Sequence, residues 1–104
     1  PPQEIRITDE NGVRRTSLVG PYLEGDNLEV HCDVYGGKPT PTVAWYRNKK
    51  IITDDAAIVQ QGVIRSTIII DNLQRRDVHT ELTCLAMNNN KSKPLSATVR
   101  IDMT

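Results

Sequence analysis

Few residues in this chain are of a type and spacing to do chemistry. They are Cys32 and Cys84, which are its only cysteines, Trp45, its only tryptophan, the two histidines His31 and His79, and the tripeptide Asn90-Lys91-Ser92. The cysteines lie 52 positions apart with no CxxC or HxxxH beside them, so they do not form a metal pair by spacing. They are either two reduced thiols or one disulfide, and their strand-like settings favour the disulfide in an oxidising compartment. Closing a loop of that length is worth about 4 kcal/mol, a large share of the roughly 5–15 kcal/mol that holds a typical domain together.

The other groups are less productive. His31 is flanked by Glu29 and Asp33 and reads as a solvated strand residue, while His79 belongs to a polar corner and is expected to bond locally. No third ligand stands at a recognisable spacing, so no metal is expected. There is no nucleophile elbow, phosphate-cradling glycine loop or zinc-protease motif, and the chain is not read as an enzyme. No cofactor and no small-molecule substrate are expected. Asn90-Lys91-Ser92 satisfies the acceptor pattern for an N-linked sugar, and Asn90 is expected on an exposed hairpin.

The elements that carry these residues are short strands. Leu28, Val30, Cys32 and Val34 alternate with Glu29, His31 and Asp33, the pattern of a strand with one buried face. Val43 and Trp45 share a face of the next strand, opposite Ala44 and Tyr46, and Ile51-Ile52 follows as a short edge element. Ile68, Ile70 and Leu73 point inward, as do Leu82, Cys84 and Ala86. The last strand alternates from Leu95 to Met103. Gly20-Pro21 is expected to break the strand that begins near Thr16, and Arg14-Arg15 and Arg75-Arg76-Asp77 are read as solvated loops. The stretch from Asp54 to Gln61 carries no clear pattern. No segment sustains a helical period, so the fold class is all-β, an antiparallel sandwich of seven to eight strands whose disulfide crosses between sheets beside the indole.

Composition bounds the partners. The 104 residues make one domain spanning 1–104, and 13 basic residues balance 13 acidic ones. A net charge of zero gives no electrostatic reason to bind nucleic acid or an anionic membrane. No apolar run approaches the ~20 residues that span a bilayer. The opening Pro1-Pro2 is read as the edge of a piece excised from a longer ectodomain, whose anchor would supply any membrane attachment.

Gly37-Lys38-Pro39-Thr40-Pro41-Thr42-Val43-Ala44-Trp45 resembles the turn and third strand of many cell-surface immunoglobulin domains of the I-set or constant-like kind. Arg76-Asp77-Val78-His79-Thr80-Glu81-Leu82-Thr83-Cys84 is more particular. With Leu85-Ala86-Met87-Asn88-Asn89-Asn90, the closing Ser96 to Met103 and the stretch Val19 to Asp26, it resembles the sidestep family of arthropod neuronal receptors. That resemblance implies a type I membrane protein with several immunoglobulin domains, acting in axon guidance and recognised by immunoglobulin-domain proteins of the beaten-path kind. It implies an internal domain, the second, serving mainly as spacer and support.

One departure stands out. Most such domains carry a tyrosine two residues before the second cysteine; here that residue is Leu82, and the usual acid is displaced to Asp77. The corner near His79 is therefore expected to be built differently, with Asp77 accepting backbone hydrogen bonds. If Leu82, Cys84 and Ala86 face inward, Leu85 and Met87 face outward, beside Tyr46 and Arg100. Tyr46, Leu85, Met87 and Arg100 are thus a candidate protein-binding face. Two other functions compete with heterophilic recognition: a homophilic or nectin-like adhesion domain, and a structural spacer with no partner of its own.

Overall fold

The structure, a computed structural model, describes residues 4–37, 39–53, 58–88 and 93–104. The period-two segments become strands that stack as two sheets. One sheet runs β2 (Arg14–Arg15), β1 (Glu4–Thr8), β4 (Leu28–Tyr35), β8 (Val63–Ile70) and β7 (Ile58–Gln60). The other runs β3 (Leu18–Tyr22), β10 (Leu95–Met103), β9 (Glu81–Met87), β5 (Thr42–Arg47) and β6 (Lys50–Thr53). β2 and β7 are two and three residues long, and the other eight strands have four or more. A single 3-10 turn, Arg75–Asp77, interrupts the strands among the described residues.

The alternation read from the sequence is the packing observed. Leu28, Val30, Cys32 and Val34 from β4 are fully buried against Trp45, Leu82, Cys84, Ala86, Val99 and Ile101 from the facing sheet. Cys32 and Cys84 are disulfide-bonded, with Cα atoms 6.4 Å apart. Trp45 lies opposite Cys84 on the neighbouring strand, and its Nε1–H crosses the sandwich to donate to the Ser66 carbonyl at 3.1 Å. Ser66 in turn lies opposite Cys32. One covalent link and one hydrogen bond therefore join the two sheets side by side, and the indole's only polar atom is satisfied.

Two expectations are corrected. Gly20-Pro21 does not end a strand: β3 runs through it to Tyr22, pairing in parallel with β10 and shifting register between Ile101 and Met103. Proline is tolerated because β3 is an edge strand, where a missing N–H breaks no ladder. Gly20 is required there, since its φ is +113° and a Cβ would lie 2.5 Å from the Asp102 carbonyl oxygen. Nor is Arg14-Arg15 a free loop. It forms β2, folded back on β1 by a turn in which the buried Asp9 carboxylate accepts from the N–H groups of Asn11 and Val13 and from Arg15 Nε. The unpatterned stretch after Thr53 contains β7 against β8, while residues 54–57 lie outside the described set.

Candidate functional site

The outward face of the β3-β10-β9-β5-β6 sheet is assembled by cross-strand register, because directly opposed residues on antiparallel strands share a side. Ile51, Tyr46, Thr83 and Thr98 form one row across four strands. Ala44, Leu85 and Ser96 form the next, and Thr42 and Met87 a third. Below the first row lie Glu81, Arg100 and Leu18. Between the first two rows opens a hollow of about 240 Å³, lined by Tyr46, Lys49, Thr83 and Leu85. Met87 and Ile51 stand out of the surface near it, 38% and 62% exposed.

Lys49 reaches this hollow from the hairpin joining β5 to β6. Its two connecting residues, Asn48 and Lys49, have φ of +47° and +71°. Both being left-handed makes this the mirror-image turn that suits strand twist, and asparagine is a favoured first residue for it. Asn48 also locks the turn, donating from its N–H to the Glu81 carbonyl at 2.9 Å and accepting from the Glu81 N–H at 3.0 Å. The second place in such a turn usually belongs to glycine. A lysine there costs about 1 kcal/mol, so Lys49 occupies a position that backbone energetics alone would not assign to it.

Of the four face residues named from the sequence, Tyr46 and Leu85 line the hollow, and Met87 extends the apolar strip two residues along β9. Arg100 shares the face but not the hollow; it is held in an exposed ion pair with Glu81 at 2.8 Å. Sequence reasoning missed Thr83, although Thr83 has the parity of Leu85, and it missed Lys49, whose placement depends on the turn. Thr83 and Thr98 are bonded through their hydroxyls at 2.9 Å, which leaves the floor of the face polar in its centre. Asn90, expected from the sequence to accept an N-linked sugar, lies outside the described residues.

The polar corner is built as the missing tyrosine requires. Asp77 is buried; its Oδ2 accepts from the Gln74 N–H at 2.7 Å and its Oδ1 from Arg47 Nη2 at 2.6 Å. The run Arg75-Arg76-Asp77 is thus not wholly solvated, because its acid is a structural anchor tied to the end of β5. Leu82 takes the vacated position in the core. His79, with φ +65°, donates its backbone N–H to the Ile101 carbonyl at 2.7 Å.

His31 departs from its expected exposure. On the outward face of the other sheet its side chain is 14% exposed, with Nδ1 2.7 Å from Thr67 Oγ1 and Nε2 3.1 Å from Glu29 Oε2. Beside it Arg65 grips Asp33 through two bonds of 2.7 and 2.9 Å, which raises the arginine pKa through the charge-assisted hydrogen bond. Arg6 packs over the Tyr35 ring at 5.2 Å and bonds Glu4 at 2.7 Å. This face carries the Arg65–Asp33 and Arg6–Glu4 ion pairs side by side with the His31–Thr67 contact.

Comparison with known proteins agrees with this architecture. Residues 6–88 match the family described as "Immunoglobulin domain". A stretch of 46 residues is 35% identical to Cell adhesion molecule 2 of Xenopus tropicalis, covering 44% of this chain and 11% of that protein. The crystal structure of Rst D1-D2 superposes with a TM-score of 0.74 at 20% identity, over all of this chain and 50% of that one. The full ectodomain of mouse nectin-like molecule 4 superposes at 0.72 with 19% identity, over 98% of this chain and 34% of that one. The two superpositions show the fold alone, and the chain spans a half or less of each relative.

Proposed function

The chain belongs to the immunoglobulin domain family, and on that premise we propose that it is a non-catalytic extracellular module of a cell-surface adhesion receptor. In this reading it binds another immunoglobulin-domain protein through the outward face that carries Tyr46, Leu85 and Met87. The observation that carries it is the hollow on that face, in which an aromatic ring, a leucine and a strained lysine converge beside exposed Ile51 and Met87. Soluble domains leave few such apolar clusters uncovered, and aromatic and methionine side chains are enriched where proteins meet.

The finer assignment rests on the resemblance to sidestep receptors. It supports a neuronal receptor acting in axon guidance, with heterophilic partners of the beaten-path kind and this domain one unit of a longer ectodomain. The 35% identity to a cell adhesion molecule over 46 residues supports the adhesive part of the reading. Arg100 contributes at the rim, where it is already paired with Glu81 and governs encounter more than affinity.

The test uses Leu85→Asp and Met87→Asp in surface plasmon resonance against a panel of immunoglobulin-domain ectodomains from the same animal. Each substitution places a charge in the apolar strip and should weaken a genuine partner by about 10-fold or more. Unchanged binding by both variants would refute the face and favour a spacer role.

A further inference from the structure

Asparagine precedes glycine once in this chain, at Asn11-Gly12; every other asparagine is followed by leucine, lysine or another asparagine. That dipeptide is where an asparagine side chain reacts most readily with its own backbone. With no side chain on the following residue, nothing crowds the peptide nitrogen as it approaches the Asn11 amide carbon. Both residues are exposed at the tip of the turn between β1 and β2. Gly12 has φ +78°, and a Cβ built on it would meet no atom within 4 Å, so water and base reach the reacting bond.

The same turn restrains the reaction. The Gly12 N–H, whose nitrogen is the nucleophile, donates to the Asp9 carbonyl at 3.0 Å. On either side of it the N–H groups of Asn11 and Val13 donate to Asp9 Oδ1 at 2.9 and 3.0 Å. The Asp9 N–H donates to the Val13 carbonyl at 2.9 Å, so each of these bonds has Asp9 at one end. Arg15 Nε holds the second oxygen of the same carboxylate at 2.9 Å, which fixes its aim into the turn. Attack needs the Gly12 nitrogen to shed its proton and swing toward the Asn11 side chain, and both require the turn to open.

We propose that Asn11 is a self-modification site, converted to aspartate or isoaspartate only through opening of the turn that Asp9 holds, and that isoaspartate there releases β2. First the Gly12 nitrogen gives its proton to a base and bonds to the Asn11 side-chain carbonyl carbon, whose bond to its own nitrogen breaks to release ammonia. Water then opens the cyclic imide. Breaking the ring bond to the side-chain carbonyl leaves aspartate; breaking the one to the main-chain carbonyl leaves isoaspartate, with the chain rerouted through the side chain. Neither step changes an oxidation state. Both products set a new carboxylate beside Asp9 and Glu10, and isoaspartate also lengthens the backbone inside the turn. That insertion falls between the two N–H groups that share Asp9 Oδ1, so it undoes their common geometry and the Ile7–Arg15 and Thr8–Arg14 pairing it supports. Glu10 stands in the same turn and accepts from the Tyr22 hydroxyl at 2.8 Å, which carries the change to β3 in the other sheet.

The experiment incubates the folded chain, Asp9→Ala, and the parent unfolded in guanidinium chloride at neutral pH, and follows every asparagine by peptide mapping and mass spectrometry. Circular dichroism establishes which samples are folded. Conversion should concentrate at Asn11 and run at least ~10-fold slower in the folded parent than in the unfolded chain. Asp9→Ala should recover most of that factor. Hydrogen exchange on the parent gives a readout that needs no variant: the Gly12 amide should be protected by the same factor that slows conversion. The purified isoaspartate product should lose protection of the Val13 amide and melt at a lower temperature. Equal rates in the folded and unfolded parent would overturn the proposal, as would a parent that stays intact while its Gly12 amide exchanges freely. So would faster conversion at another asparagine, a folded Asp9→Ala that converts no faster, or an isoaspartate product that keeps its Val13 protection.

Discussion

Replacing Asp77 tests whether a buried carboxylate has taken over the work of the absent corner tyrosine. Asp77 makes two bonds of unequal weight. Its Oδ2 accepts the Gln74 N–H at 2.7 Å, a charge-assisted contact whose removal leaves a backbone donor without its partner. Such a loss is worth about 1.5–3 kcal/mol. Its Oδ1 accepts Arg47 Nη2 at 2.6 Å, but the arginine side chain is 38% exposed. Solvent screening holds that ion pair to at most about 1 kcal/mol. Asp77→Ala should therefore cost about 2–4 kcal/mol, lowering the melting temperature by roughly 10–20 °C for a domain of this size. Arg47→Met keeps the aliphatic stem that packs at the end of β5 and should cost under about 1 kcal/mol. Urea denaturation of both single variants and the double variant measures these terms and their coupling. The reasoning fails if Asp77→Ala falls within about 0.5 kcal/mol of the parent, or if Arg47→Met proves the costlier change.

Stability should also fall at both ends of the pH range. Burial opposes ionisation of Asp9 and is the largest single influence on it, but the N–H bonds from Val13, Arg15 and Asn11 together prevail and hold its pKa below the ordinary value. Its contribution is complete above the unfolded pKa near ~4 and is lost as pH falls through the lower folded value. Acid melts of the parent and Asp9→Asn should accordingly converge, and an unchanged gap between them would count against the assignment. Tyr22 shifts the other way: burial, then its hydrogen bond to Glu10 at 2.8 Å, raises its pKa. That contribution is complete below about pH 10 and fades as pH rises toward the folded value, which Tyr22→Phe should reveal as a flattened alkaline limb. Lys49→Gly should stabilise the isolated domain by about 1 kcal/mol by relieving the left-handed turn, while weakening partner binding; a loss of stability would show that Lys49 is not strained.

The parts of this protein legible from its residues are those encoded by local pattern. Alternation over Leu28 to Val34 and over Leu82 to Ala86 selects the buried face of each strand, because side chains on a strand point alternately to its two sides. Leu82 in place of tyrosine likewise announced a corner built on Asp77. Less legible were Arg47, which meets Asp77 from 30 positions away, and Lys49, whose approach to Leu85 depends on a turn docked on Glu81. His31 looked solvated because its neighbours in sequence are acidic, whereas its neighbour across the sheet is Thr67.

The division follows from the physics of the chain. Two cysteines, one tryptophan and the period-two strands determine a stapled sandwich by themselves, since burial of one face per strand leaves few other ways to satisfy them. Only the folded chain decides that β3 continues past Pro21 beside β10, that Ile51 shares a row with Tyr46, and that β6 is the outer strand of its sheet among the described residues. Those outcomes depend on pairings between strands far apart in sequence, where register, not composition, chooses which side chains meet.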